Sequence, residues 1–214
     1  MNNKTSPLEK VIKDLKREIK HLQKLVVKDE LTGVLNRRGL AEEVGIFFDD
    51  IVYLRQHPQN RRSLNVDDIS VLFIDVDDFK KINDKFGHDG GDAVLKFISL
   101  ELQKKIRKID IIGRWGGDEF VVALIGTDEE SAYKKAEFIR KHLNSKKVSE
   151  KHRGLQVEVS IGVASFKNSK TKSIEELTNA ADKAMYYAKL KGAKNCTIKY
   201  SEVANKPPRI PRNK

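Results

Sequence analysis

The sequence predicts an α/β fold in which helices flank one central sheet, with a further helix at the N-terminus. Amphipathic stretches with helical spacing alternate along the chain with short apolar runs that are typical of buried strands. Hydrophobic residues make up 39% and charged residues 34% of the 214 residues. This balance and length suit one globular domain with a full core and a short extra element.

The first 28 residues predict a separate helix that begins at the stretch Ser6-Pro7-Leu8-Glu9. Ser6 can cap the helix, Pro7 suits its first position, and Glu9 completes a capping box. Apolar residues then alternate at spacings of four and three, forming a heptad seam of Leu8, Ile12, Leu15, Ile19, Leu22 and Val26. The seam predicts a parallel dimer helix; the alternative is an amphipathic helix that packs on its own domain.

Helices and strands alternate from residue 29 to residue 200. The 91–107 helix is supported by apolar residues on one face, and the two later helices by capping boxes at Thr127–Glu130 and Ser173–Glu176. The strands are apolar runs bounded by polar or glycine-rich segments. The predicted elements are a helix over 39–55, a polar loop over 57–68, a strand over 69–74, a helix over 91–107, strands over 109–112 and 120–125, a helix over 127–143, a strand over 155–165, a helix over 173–191 and a strand over 197–200.

The net charge of +11 lies mainly at the two ends of the chain. Residues 1–28 carry +5 (eight Lys or Arg against three Asp or Glu), residues 201–214 carry +3, and residues 29–200 carry +3. This distribution argues against nucleic acid as a partner of the core. The Pro-rich, basic residues 201–214 are expected to be a disordered tail.

The sequence contains no apolar run long enough for a membrane span and no signal-peptide pattern, so we expect a cytoplasmic protein. Its one cysteine, Cys196, excludes an internal disulfide and any multi-cysteine metal site.

Two acidic clusters follow apolar strands. Asp75 ends the 69–74 strand, and Asp118 and Glu119 lie in the connection between two other predicted strands. If these strands are neighbours in one sheet, the carboxylates converge at one edge. Hard oxygen ligands of this kind suit Mg²⁺, which shares phosphate oxygens with its substrate.

Gly116 and Gly117 precede the second acidic cluster. Without Cβ atoms they allow a sharp backbone turn and the close approach of a nucleotide; the alternative is an ordinary glycine-rich β-turn. The nearby Arg114 either adds a charge for substrate or pairs with an acid.

The stretch "GRWGGDEF" contains the motif of the GGDEF family, the diguanylate cyclases, and the chain resembles this family over about residues 29–200. Four further stretches resemble family segments in the family's order: "DELTGVLNRR" (29–38), "DVDDFKKINDKFGHDGGDAVL" (75–95), "VSIGVA" (159–164) and "ADKAMYYAKLKGAKN" (181–195).

The resemblance implies a palm-like fold, with a mostly antiparallel sheet similar to that of nucleotide polymerases and class III nucleotidyl cyclases. It also implies condensation of two GTP into cyclic di-GMP with release of two pyrophosphates. Each half-site binds one GTP, so catalysis requires a homodimer. The implied cofactor is Mg²⁺, two ions per half-site, with Mn²⁺ as a substitute.

By motif, the resemblance assigns Asp75, Asp118 and the Val76 carbonyl to metal, with Glu119 as a further metal or hydroxyl contact. It assigns guanine to Asn83 and Asp92 and phosphates to Lys80 and Lys189. Outside the resemblance, Asp92 could simply start a helix, Asn83 could be a turn residue, and the lysines could be surface residues. The chain departs from the family where Ala193 takes a usually basic position and Lys194 follows it.

Arg107 and Asp110 form an "RxxD" pattern that five residues separate from Gly116. Its residue types and offset resemble the family's inhibitory product site. The alternative is a helix-end arginine with an ordinary turn residue. Two further hypotheses for the whole chain remain open. One is a degenerate domain that binds GTP or cyclic di-GMP without turnover, and the other is binding of an anionic surface by the basic ends.

Overall fold

The computed structural model describes residues 7–25, 27–57, 66–148, 155–190 and 192–205. The predicted cap at Ser6 and most of the predicted 57–68 loop lie outside these ranges, as do residues 206–214. None of the helices within them combines the length and apolar character that a membrane crossing needs. The elements are α1 (Pro7–Leu25), β1 (Leu35–Asn36), α2 (Arg37–Gln56), β2 (Ile69–Val76), α3 (Phe79–Lys105), β3 (Ile111–Gly116), β4 (Glu119–Ile125), α4 (Glu129–Ser145), β5 (Val159–Ser165), α5 (Phe166–Ser169), α6 (Ile174–Leu190), β6 (Thr197–Lys199) and a 3₁₀ turn (Tyr200–Glu202).

The six strands form one sheet in the order β1-β3-β4-β2-β5-β6. The three inner pairings are antiparallel and the two outer ones are parallel. The predicted single, mostly antiparallel sheet is therefore confirmed. In the register of this sheet, Asp75 of β2 lies opposite Glu119 on β4 and opposite Ser160 on β5.

Helices cover both faces of the sheet. Leu72 and Ile74 of β2 point into one core with α3 and α4, whereas Val71 and Phe73 point into a second core with α2 and α6. Successive residues of a strand face opposite sides, so a strand buried on both faces is apolar throughout. This explains the continuous apolar runs from which β2 and β4 were predicted.

Helix α6 rests directly on β5 at Gly162. A Cβ atom there would lie 1.9 Å from the Ala181 carbonyl oxygen and 2.7 Å from the Met185 amide nitrogen. Glycine at this position therefore lets two backbones touch. The close approach brings the polar residues of α6 beside the end of β2, where Lys189 pairs with Asp75.

Helix α3 begins twelve residues earlier than predicted, at Phe79 instead of Gly91. It consists of two arms joined by a kink at Gly87, whose φ is 74° and ψ 173°. Phe79, Ile82 and Phe86 pack the first arm against the core. Glycines and acidic residues in this stretch indicate a loop, but tertiary packing outweighs their low helix propensity.

Several predicted boundaries also shift. Strand β2 continues to Val76, so Asp75 lies within the strand instead of after it.

The cap of α4 is Asp128, whose side chain accepts from the Ser131 amide, and not Thr127. The predicted cap of α6 is correct, since the Ser173 hydroxyl accepts from the Glu176 amide at 3.1 Å. Residues 201–205, assigned to the tail from sequence, instead form a turn on which Val203 is buried.

The apolar seam of α1 faces solvent. Four of its residues are 43–69% exposed: Leu8, Ile12, Leu15 and Leu22. In this structure these four side chains therefore do not pack on the rest of the domain. Val26 and the side chain of Ile19 lie outside the described residues.

Candidate active site

The β3–β4 hairpin turns through Gly117 and Asp118. Gly117 has a φ of 43°, a backbone conformation that residues other than glycine rarely adopt. The pairing register of β3 with β4 shifts between Arg114 and Gly116. A Cβ at Gly116 would meet Glu119 Oε2 at an ordinary 3.7 Å, so the protein itself does not require glycine there. The turn alone therefore explains Gly117 but not Gly116.

Carboxylates from three elements meet at this hairpin. Asp75 pairs in register with Glu119, and the Val76 amide donates to the Asp118 carbonyl at 3.4 Å. Burial raises the pKa of Glu119, and the negative charges of Asp75, Asp182 and Asp118 raise it further. Burial also raises the pKa of Asp75, against the opposing effect of Lys189. The negative charge of the cluster is therefore only partly compensated.

Lys189 supplies the nearest cation. Its ammonium group pairs with Asp75 Oδ1 and lies 3.5 Å from Asp77 Oδ1. The side chain is 30% exposed, so it can reach both the carboxylates and the solvent. The sequence assigned Lys189 to phosphate; the structure places it on a predicted metal ligand.

Asp77 is a buried residue that the sequence prediction missed. Its carboxylate accepts from the Ser160 hydroxyl at 2.9 Å and from the Asn195 amide at 2.7 Å. It thereby ties the segment after α6 to the end of β2. The available signal was its position two residues after Asp75, because alternate strand residues share a face.

Asp182 of α6 is the second missed carboxylate. Burial raises its pKa, and its charge acts on Glu119. Asp182 and Lys189 are seven residues apart, which places them on the same face of the helix. That spacing is visible in the sequence, but only the packing of α6 shows that this face meets the hairpin.

Arg114 pairs with an acid, as the sequence allowed. Its guanidinium donates twice to the Gly117 carbonyl, at 2.6 and 2.9 Å, and to Asp29 at 3.1 Å. Hydrogen bonds from Thr32 and Arg114 outweigh burial and hold the pKa of Asp29 below its usual value. Arg114 thus joins the hairpin to the segment that follows α1, and a cleft of about 370 Å³ opens beside it.

The kink in α3 brings the two predicted guanine-reading residues into one neighbourhood. Asn83 Oδ1 is buried without a hydrogen-bond partner and would lie 2.0 Å from a Cβ at Gly91. Asp92 follows Gly91 and is exposed. Lys80 is exposed on the first turn of α3. The unused carbonyl of Asn83 marks this arm as a place where a ligand could donate a hydrogen bond.

Lys194, which stands beside the departure from the family pattern, pairs with Asp78 at 2.7 Å. This ion pair raises the pKa of Lys194 and lowers that of Asp78. Asp78 lies in the turn from β2 into α3. Lys194 therefore stabilises that turn.

Arg107 and Asp110 lie at the opposite end of the hairpin from Gly117. Asp110 is buried, and its oxygens accept from the Arg107 backbone and guanidinium and from the Ile125 amide. Arg107 also donates to the Ile125 carbonyl at 2.7 Å, yet 56% of its side chain is exposed. In this arrangement Asp110 orients the Arg107 side chain, whose exposed part can contact a ligand.

The carboxylates suit a hard divalent cation in chemistry. Within the described ranges, however, no three His, Cys, Asp or Glu side chains are arranged to hold a metal ion. Burial raises the pKa values of Asp75 and Glu119, and the negative charge of neighbouring carboxylates raises them further. A cation would relieve this repulsion, so the donor set fits Mg²⁺ or Mn²⁺ once Lys189 leaves Asp75.

A family model described as diguanylate cyclase, GGDEF domain, matches residues 26–195. The chain belongs to the GGDEF family. The response regulator PleD from Caulobacter vibrioides is 38% identical over 180 residues, which cover 83% of this chain and 37% of PleD. The probable diguanylate cyclase DgcC from Escherichia coli is 36% identical over 173 residues, or 81% of this chain and 43% of that protein. The chain thus spans less than half the length of these relatives.

Solved GGDEF domains share the fold. The GGDEF domain of YfiN (TpbB) from Pseudomonas aeruginosa aligns with a TM-score of 0.70 and 29% identity, over 81% of this chain and 94% of that one. An active GGEEF domain of a diguanylate cyclase from Vibrio cholerae aligns with a TM-score of 0.65 and 33% identity, over 77% and 96%. The hairpin described above therefore carries the motif that defines this GGDEF domain.

Proposed function

We propose that this GGDEF domain is a GTP-specific diguanylate cyclase that joins two GTP molecules into cyclic di-GMP and releases two pyrophosphates. The observation that carries the proposal is the convergence of Asp75, Asp118 and Glu119 at one hairpin within a matched family domain. Each domain presents one such hairpin, so two domains must meet for a 3′-hydroxyl to attack the α-phosphate of the other GTP.

Asp75, Asp118, Glu119 and the Val76 carbonyl would hold the divalent cations. Such ions supply charge stabilisation for phosphate oxygens and orient the reacting groups. The chain's own contribution is to hold these carboxylates on neighbouring strands. Gly116, which has no steric need for glycine in the domain alone, leaves the hairpin backbone open to the nucleotide.

Asn83 and Asp92 give the preference for guanine. An exposed carboxylate at Asp92 accepts from guanine N1–H and N2–H₂, which adenine cannot offer as a pair. The buried, unpaired Asn83 carbonyl is a further acceptor, on the first arm of α3 and across the kink from Asp92. ATP should therefore be a poor substrate.

The test is incubation of the purified chain with Mg²⁺ and either GTP or ATP, with product identification by mass. We expect cyclic di-GMP from GTP only. Asp118→Asn should lower the rate at least about a hundredfold, because an amide cannot compensate the cation's charge. Asp49→Asn, an exposed carboxylate on α2, is the matched control and should retain parent activity. Near-parent turnover by folded Asp118→Asn would refute the metal assignment.

A second candidate is a receptor that binds GTP or cyclic di-GMP without turnover. It is favoured by Lys189 on Asp75 and by the absence, among the described residues, of a three-ligand metal group. Tight GTP binding with no product under the same conditions would support it.

A further inference from the structure

Among the residues that the structure describes, Lys189 is the cation that pairs with the carboxylate cluster of Asp75, Asp118, Glu119 and Asp182. Asp75 lies opposite Glu119 in the sheet, Asp118 precedes Glu119 in the turn, and the Lys189 ammonium pairs with Asp75. The nearby Lys194 instead pairs with Asp78. The charge balance of the cluster therefore depends on where the Lys189 ammonium lies.

Asp75 and Asp77 depend on Lys189 to different degrees. Asp77 is already satisfied by the Ser160 hydroxyl and the Asn195 amide, and its contact with Lys189 is a longer 3.5 Å. Among the described residues, Lys189 is the one hydrogen-bond donor to the Asp75 side chain. Loss of Lys189 would thus leave Asp75 uncompensated but Asp77 largely unaffected.

We propose that Lys189 is the counter-ion of the carboxylate cluster while no nucleotide is bound, and that its transfer from Asp75 to a nucleotide phosphate couples nucleotide binding to divalent-cation binding. The inference rests on the proposed function for its ligands, but it concerns the order and linkage of binding. An ammonium and a divalent cation compete for Asp75, so the cation binds weakly alone. A phosphate gives Lys189 a new partner, and by linkage each ligand strengthens the other.

The position of Lys189 makes this exchange possible. It lies in the last turn of α6, whose backbone is fixed against β5 at Gly162. The helix is therefore a rigid base from which a long, 30% exposed side chain can swing without backbone movement.

The experiment measures Mn²⁺ affinity of the full chain by electron paramagnetic resonance of free Mn²⁺, without nucleotide and with an α,β-methylene analogue of GTP. The proteins are the parent, Lys189→Met, Lys189→Arg and Lys194→Met. Without nucleotide, Lys189→Met should bind Mn²⁺ at least about fivefold tighter than the parent. The analogue should strengthen Mn²⁺ binding by a smaller factor in Lys189→Met than in the parent. Lys189→Arg keeps the charge and Lys194→Met keeps Lys189, so both should resemble the parent.

Equal Mn²⁺ affinity in the parent and folded Lys189→Met would overturn the proposal. Equal tightening in Lys189→Arg and Lys189→Met would overturn it too, because charge would then not be the cause. Thermal unfolding of each variant checks folding. Failure of the proposed function has a separate signature: Asp118→Asn would bind Mn²⁺ as the parent does, or the parent would form no cyclic di-GMP, whatever the result at Lys189.

Discussion

At the residue scale, Gly162 decides whether α6 can reach the sheet. A Cβ atom at this position would lie only 1.9 Å from a backbone oxygen of α6, so no larger residue fits there. Backbone atoms on both sides cannot move aside as a flexible side chain would. The position of Asp182 and Lys189 at the hairpin therefore depends on this one glycine in β5.

Gly162→Ala should lower the free energy of unfolding by more than about 2 kcal/mol, because overpacking forces α6 off β5. The matched control is Gly45→Ala in α2, where a Cβ would meet nothing within 4 Å. That change should be neutral or stabilising by up to about 1 kcal/mol, since alanine favours helix. Urea denaturation of both variants measures the difference. Equal stability of the two variants would contradict the packing argument.

At the element scale, Arg140 links α4 to the segment after α6. It donates to the Asn195 backbone carbonyl at 2.8 Å and side-chain oxygen at 2.7 Å, and it forms an ion pair with Glu137 at 2.7 Å. Asn195 in turn donates to the buried Asp77. A chain of polar contacts thus runs from α4 to the end of β2 beside the carboxylate cluster.

The pair predicts a pH dependence of stability. The hydrogen bond and charge of Arg140 lower the pKa of Glu137 from 4.5 to about 2, against burial. A carboxyl group whose pKa is lower in the folded than in the unfolded protein stabilises the fold at pH values above its unfolded pKa, near 4.5. This stabilisation is lost as the pH falls toward 2. In Glu137→Gln, the free energy of unfolding should therefore fall by roughly 2 kcal/mol less than in the parent between pH 4.5 and pH 2. Thermal melts across this range provide the measurement, with exposed Glu43→Gln as the control; parallel profiles would refute the assignment.

The two ends of the β3–β4 hairpin also belong to this scale. Arg107 braces the end at Ile125, six residues along β4 from Glu119, or about 20 Å. We infer that cyclic di-GMP bound to the exposed part of Arg107 favours an inactive arrangement of domains. Tight binding alone would not inhibit, because only differential affinity shifts an equilibrium.

Arg107→Ala should leave the initial rate with GTP near the parent value and remove the slowdown as cyclic di-GMP accumulates. Lys108→Ala, an exposed neighbour, should keep the slowdown. Because Arg107 also braces β4, Arg107→Gln is a second variant that retains a hydrogen-bond donor. Progress curves with added cyclic di-GMP distinguish the outcomes, and equal inhibition of parent and both Arg107 variants would place the product site elsewhere.

At the scale of the whole molecule, α1 extends its apolar seam into solvent while Arg114 and Asp29 tie the segment after α1 to the hairpin. Pairing of two such helices would raise the effective concentration of two half-sites. We therefore propose that α1 assembles the homodimer. The same segment would then transmit the orientation of the helices to the catalytic turn.

Leu15→Asp should lower specific activity at dilute protein, with recovery at high concentration, because it places a charge in the seam. GTP binding by each domain should remain unchanged. Glu18→Asp, an exposed substitution that keeps the charge, serves as the control for changes to α1. Sedimentation velocity alongside a dilution series of activity tests this; equal dilution curves for Leu15→Asp and the parent would remove the role of α1.

Sequence prediction succeeded where the signal was local. The apolar runs of β2 and β4, the Ser173 cap and the helix α1 each depend on a few neighbouring residues, and each was found. It failed for the first arm of α3, a helix that packing stabilises although glycines stand at the kink and just after it. The boundary at Asp75 shifted because strand pairing, not hydropathy, decides where a strand ends.

The sequence by itself determined the family, the two acidic clusters and the candidate residues for guanine, phosphate and product, because these are ordered motifs in a linear chain. Only the tertiary structure decided what those residues contact. Lys189 meets Asp75 across 114 positions and Arg114 meets Asp29 across 85, and both contacts depend on which elements are neighbours in space. The buried Asp110 also accepts from the Ile125 amide and the buried Asp77 from the Asn195 amide, and no local pattern specifies these two partners. The physical reason is that propensity and periodicity act over a few residues, whereas the charge around a carboxylate is set by every element packed against it.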